Sequence, residues 1–106
     1  MEVKTMNEIK SKLYLLQQSM MSNIECLDKK ERFVAKMVMK LYDPEEFIQL
    51  NTVKQLGIIS ALTLIGKMFE HQVMRSSWLK IIDTLCDIVE DISEENRKHI
   101  KRGTLK

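Results

Sequence analysis

An all-α fold, a compact bundle-like single domain of five helices, is the architecture this chain predicts. Three observations carry that expectation. The 106 residues contain only three Gly and one Pro, too few for the tight turns of a β-sandwich or barrel. Apolar residues recur with helical rather than alternating spacing through most of the chain. The composition, 44% hydrophobic and 30% charged, is too apolar for a disordered chain and too charged for a membrane protein.

The first helical pattern runs through Met6, Ile9, Leu13, Leu16 and Met20, with steps of three and four residues, and Leu27 continues it in register. That is a heptad seam, suited either to burying one narrow stripe in a bundle or to pairing with a second chain. A second helix is expected from Asp28, whose carboxylate caps the amide of Glu31 in a capping box. Its predicted core stripe is Phe33, Val34, Met37, Val38 and Leu41. Asp43-Pro44-Glu45-Glu46 ends that helix and begins another. Proline disfavours helix at the residue before it yet fits a first helical turn, while the glutamates suit the positive end of the dipole.

A short third helix holds Phe47, Ile48 and Leu50 and breaks near Asn51-Thr52. The fourth is expected over residues 53–74, with Leu56, Ile59, Leu62, Ile65, Phe69 and Val73 along one side and an apolar first half. Arg75-Ser76-Ser77 reads as a turn, with Ser76 or Ser77 capping a last helix. Trp78, Ile81, Ile82, Leu85, Ile88, Val89 and Ile92 form its buried face. The domain is thus placed at residues 1–96, followed by a basic tail at 97–106.

Cys26 and Cys86 belong to no C-x-x-C pair, so a metal knuckle or a thioredoxin-like redox site is unsupported. Reduced, buried thiols in a cytoplasmic protein are the expectation. The charged N-terminus has no apolar segment of a signal peptide, and the uncharged run of twelve residues at 55–66 is too short to span a membrane. No P-loop, nucleophile elbow or His-Glu-x-x-His occurs, and His71 and His99 have no neighbours at metal-ligand spacing. No catalytic, metal or cofactor site is therefore assigned, and an enzyme is not expected. A Cys86–His71 nucleophile pair would have to be assembled in space.

Charge is segregated although the formal total is only +2. Residues 1–42 carry net +3, 43–75 net −1, 76–96 net −5 and 97–106 net +5. On the second helix Lys29, Arg32, Lys36 and Lys40 form a basic ridge able to follow a phosphate backbone, and Arg97, Lys98, Lys101 and Arg102 add basic charge in the tail. On the last helix Asp83, Asp87, Glu90, Asp91 and Glu94 form an acidic ridge opposite the apolar face, which any phosphate-binding surface must exclude.

Gly57 and Ala61, four residues apart, would let another helix approach closely, within the chain or from a second copy. Residues 52–64 resemble a helix-turn-helix over about a dozen positions, through Leu56-Gly57-Ile58 and Thr63-Leu64. The would-be recognition helix is nevertheless apolar where base edges call for polar groups. The expected function is a small non-enzymatic interaction or assembly module. It acts as a homodimer through Met6, Ile9, Leu13, Leu16 and Met20 or through Gly57 and Ala61, and binds another protein. Sequence-tolerant binding of duplex nucleic acid through the basic ridge and tail is the alternative.

Overall fold

The computed structural model describes residues 6–104, with side chains through Arg97, and all regular structure among them is helical. Helices α1 (Met6–Ile24), α2 (Lys29–Met39), α3 (Pro44–Phe47), α4 (Thr52–Ile65) and α5 (Gln72–Thr104) follow one another, with a 3-10 turn at Gly66–Met68 between the last two.

Local chemistry sets the helix starts. Asp28 accepts the Glu31 amide at 2.9 Å, Asp43 accepts the Glu45 amide at 3.1 Å ahead of Pro44, and Asn51 accepts the Lys54 amide at 2.9 Å. Each satisfies an amide that has no partner within its own helix.

The chain runs up, down, up and down. Tyr42, just past α2, returns to the middle of α1, where its buried hydroxyl donates to the Leu13 carbonyl at 2.6 Å. Asn23 at the end of α1 donates to Ser77 early in α5 at 3.3 Å, and Thr52 at the start of α4 lies 3.0 Å from Ser93 late in α5. Helix α5 is therefore antiparallel to both α1 and α4. It packs on those two, α2 packs on the same two, and α2 and α5 face each other across the core. Short α3 bridges α2 and α4 and is tied to α1 by Glu45, which receives the Tyr14 hydroxyl at 2.8 Å and Lys10 at 3.2 Å. These partners hold the Glu45 carboxyl below its usual range. At about 1.5 Å per residue, the 33-residue α5 accounts for most of the 56 Å long axis.

The seven apolar residues expected on the last helix, Trp78 to Ile92, are all buried. The α1 seam is buried as well, but inside this chain: Ile9, Leu13 and Met20 have no exposed surface, Leu16 is half-buried, and only Met6 reaches solvent.

Four sequence expectations are corrected. The fourth helix does not continue to Met74, because α4 tightens at Gly66 and the chain turns through a buried, extended Phe69. The Gly66 amide turns to the Thr63 and Leu64 carbonyls, while the Leu62 carbonyl is taken by the Trp78 indole at 2.9 Å. Arg75 is not in a turn: it lies within α5, and its guanidinium donates twice to the Phe69 carbonyl, at 3.2 and 2.7 Å, which holds the bend. Residues 97–104 are not a separate tail in backbone terms, since α5 continues through them. Finally, residues 52–65 form one uninterrupted helix, so the helix-turn-helix likeness does not survive.

Gly66 has an ordinary helical backbone; its lack of a side chain matters for space. A Cβ there would meet Trp78 Cδ1 at 3.0 Å. Gly66→Ala is expected to lower stability by about 1–2 kcal/mol through displacement of the indole, read as a lower urea midpoint at unchanged slope. An unchanged or higher midpoint would show that Trp78 moves aside without loss.

Candidate interaction surface

Helix α2 presents the wrong face to its own core. It buries Ala35 and Met39, whereas the longer apolar stripe points to solvent: Phe33 is 67%, Val34 46%, Met37 49% and Leu41 56% exposed. Of the stripe expected to be core, only Val38 packs against it. The cause is geometric. Tyr42 and Ala35 sit on the side that must meet α1 and α4, and the Tyr42 hydroxyl bond to Leu13 fixes the rotation of the helix end.

At 100° per residue, Phe33, Met37 and Val34 span about 100° of arc on α2, Leu41 follows in the turn after it, and Lys29, Lys36 and Lys40 fill about 40° beside them. Lys29, Arg32, Phe33, Val34 and Lys36 bound a shallow apolar hollow on this face. Two of the four expected ridge cations are already engaged. Lys36 lies 3.2 Å and Arg32 3.6 Å from the Glu25 carboxylate, and Arg32 also donates to the Leu27 carbonyl at 3.3 Å. These half-exposed pairs contribute at most about 1 kcal/mol each. They nonetheless place the lysine side of α2 toward α1, and Lys29, Lys30 and Lys40 remain in solvent.

The neighbouring α4 has an outer stripe without charge, flanked by the exposed Lys54. Val53, Gly57, Ser60 and Leu64, spaced four, three and four, are exposed together with Leu56. Gly57 does not serve a close crossing within the chain, since nothing lies within 4 Å of where its Cβ would be. Ala61 is half-buried at the edge of the same stripe.

On the opposite side of the bundle the acidic ridge is as expected: Asp83, Asp87, Glu90 and Glu94 point outward from α5, and Asp91 is half-buried. Arg97 is exposed, and the side chains of Lys98, Lys101 and Arg102 lie outside the described residues. The basic ridge and the basic end of the chain thus arise from helices that face each other across the core.

Both cysteines are free, and both are exposed rather than buried. Cys26 lies in the turn after α1, and Cys86 on the polar face of α5. Cys86 and His71 are 15 residues apart. The 14 residues of α5 between its start and Cys86 extend about 20 Å, so these two side chains do not form a nucleophile pair.

It is Cys26 that shares a pocket of about 220 Å³ with His71, at the end of the bundle where the turn after α1 meets the start of α5. Asp28, Glu31 and Glu70 also line it. Partial burial, then the nearby Asp28 and Glu70 charges, push the Glu31 carboxyl above its ordinary range. No hydrogen bond joins Cys26 to His71, and no group of three potential metal ligands occurs among the described residues. Nor is any helix among them long and apolar enough to cross a membrane.

No family model matches the chain, and neither does a curated protein or a solved structure.

Cys86 sits one turn from Asp83 and beside Asp87, and partial desolvation followed by these two charges raises its thiol pKa. Its alkylation by iodoacetamide at neutral pH is expected to be slower than that of free cysteine, with the rate rising at higher pH. A rate equal to or above that of free cysteine would contradict this environment.

Proposed function

We propose that this chain is a small non-enzymatic protein-interaction or assembly module that acts as a homodimer in the cytoplasm, where exposed thiols such as Cys26 and Cys86 stay reduced. The observation that carries the reading is uncovered apolar surface on two adjacent helices, the Phe33–Leu41 stripe of α2 and the uncharged stripe of α4. Exposed apolar surface rimmed by charge marks protein contact.

The α4 face suits a second copy. Val53, Gly57, Ser60 and Leu64 read large, small, small, large, so an antiparallel two-fold pairing sets Val53 against the partner's Leu64 around a thin centre. No like charges are brought together within that stripe. The α1 seam cannot share this task, because Ile9, Leu13 and Met20 are enclosed by their own chain, and a charge at Leu13 would unfold the monomer first.

The expected solution mass is twice the 12.5 kDa of one chain. Leu64→Glu, an exposed substitution, should return it to the single-chain value with the helical circular dichroism retained. A wild-type mass of one chain, or a dimer indifferent to Leu64→Glu, would refute the α4 pairing.

Duplex nucleic-acid binding is the second reading, favoured by the exposed Lys29, Lys30 and Lys40. Three phosphate contacts predict a log–log salt slope of about −2.7, or about fortyfold weaker binding between roughly 50 and 200 mM salt. Fluorescence anisotropy with a random duplex tests it. Absence of binding at the lower salt removes the reading.

A further inference from the structure

Building on the interaction-module reading, we infer that the outer face of α2 docks an acidic amphipathic helix from another protein. Phe33 and Met37 on α2 and Leu41 in the turn just past its end recur every four residues and form one exposed apolar row. Val34 widens it on one flank. A row of that spacing matches the apolar stripe of an incoming helix read at i, i+3, i+4 and i+7.

The rim is predominantly basic, its one nearby acid, Glu25, being taken up by Lys36 and Arg32. Lys29, Lys36 and Lys40 line one side of the row and Lys30 sits within it, whereas Glu31, the one acid of α2, turns toward the pocket at the end of the bundle. A partner helix must therefore bring carboxylates along its flank. Charge complementarity of this kind chooses the partner and its orientation, and the apolar row supplies the affinity.

Among the described residues, the acidic face of α5 does not supply that partner. The outer face of α5 has the acids Asp83, Asp87, Glu90 and Glu94, but the exposed apolar residues on that side, Val73 and Leu79, lie near its start and six residues apart, not in a row spaced to meet Phe33, Met37 and Leu41. An α2 face set antiparallel on its own copy would align the lysine rims, bringing like charges together. The occupant is thus a helix that combines an apolar stripe with acidic flanks.

The test uses the full chain and two labelled synthetic helical peptides. Both carry leucines at i, i+3, i+4 and i+7; one has glutamate at the flanking positions and the other lysine. The glutamate peptide is expected to bind saturably, at least about tenfold tighter than the lysine peptide. Met37→Glu should abolish that binding while helical circular dichroism and solution mass stay as in the wild type. Lys29→Glu with Lys40→Glu should invert the preference, an outcome that a merely misfolded chain does not give.

Equal binding of the two peptides, or no binding of the glutamate peptide, overturns the inference. So does flotation of the wild-type chain with phosphatidylcholine–phosphatidylserine vesicles without peptide binding, since the face would then belong to a lipid surface. If the peptide result is negative but the dimer mass holds, the docking inference fails and the module reading stands. If peptide binding occurs on a single-chain species, the dimer fails and the docking stands.

Discussion

The bond from the Trp78 indole to the Leu62 carbonyl is the interaction on which the bundle turns. A helix that loses its regular i to i−4 pairing at Gly66 leaves a buried carbonyl in need of a donor, and an unsatisfied group there would cost about 1–3 kcal/mol. The indole supplies the donor, and its ring fills the space that Gly66 leaves open and lies 5.6 Å, centroid to centroid, from Phe69. One fully buried side chain thereby ends α4, positions the bend and sets the depth of α5 in the core. Arg75 completes the junction from solvent by satisfying the Phe69 carbonyl. The antiparallel packing of α4 on α5 follows from that placement.

Elements with one apolar stripe were legible in the sequence. The Trp78–Ile92 face and the caps at Asp28 and Asp43 depend on local periodicity and on side chains within three residues, so the sequence alone carries them. The α4–α5 boundary was not legible, because it is held by the Trp78–Leu62 and Arg75–Phe69 bonds, which span 16 and 6 residues. Phe69 and Val73 continue the helical period across the break, although Phe69 is buried and Val73 faces solvent. Gln55 was passed over because a polar residue on a helix defaults to the surface. Here it is buried, and its amide donates to the Phe47 carbonyl at 2.8 Å, closing the link between α3 and α4.

The exposed apolar face of α2 escaped sequence reasoning for a different reason. The rule that the more apolar stripe of a helix faces the core assumes the core is the only apolar partner available. In α2 the assumption fails: Phe33, Met37 and Leu41 were placed inside, and the smaller Ala35–Met39 edge is what the bundle takes. Similarly, the heptad spacing of α1 identified a buried seam correctly as a stripe, but spacing does not distinguish a neighbour in the same chain from one in another. Gly57 was noticed for its size, and only its open surroundings show which way it looks.

The thin anchorage of α2 also bears on how the molecule breathes. With Ala35 and Met39 as its only buried residues, and Tyr42 beyond its end, α2 contributes little to the core relative to α5. Lifting it from α1 and α4 is therefore expected to cost a small part of the global unfolding free energy, with its amides exchanging through a local opening. Anything that covers the Phe33–Leu41 row acts on that opening as well as on its own binding equilibrium. Occupancy and local order in α2 are two sides of one linked equilibrium, with each strengthening the other by the same free energy.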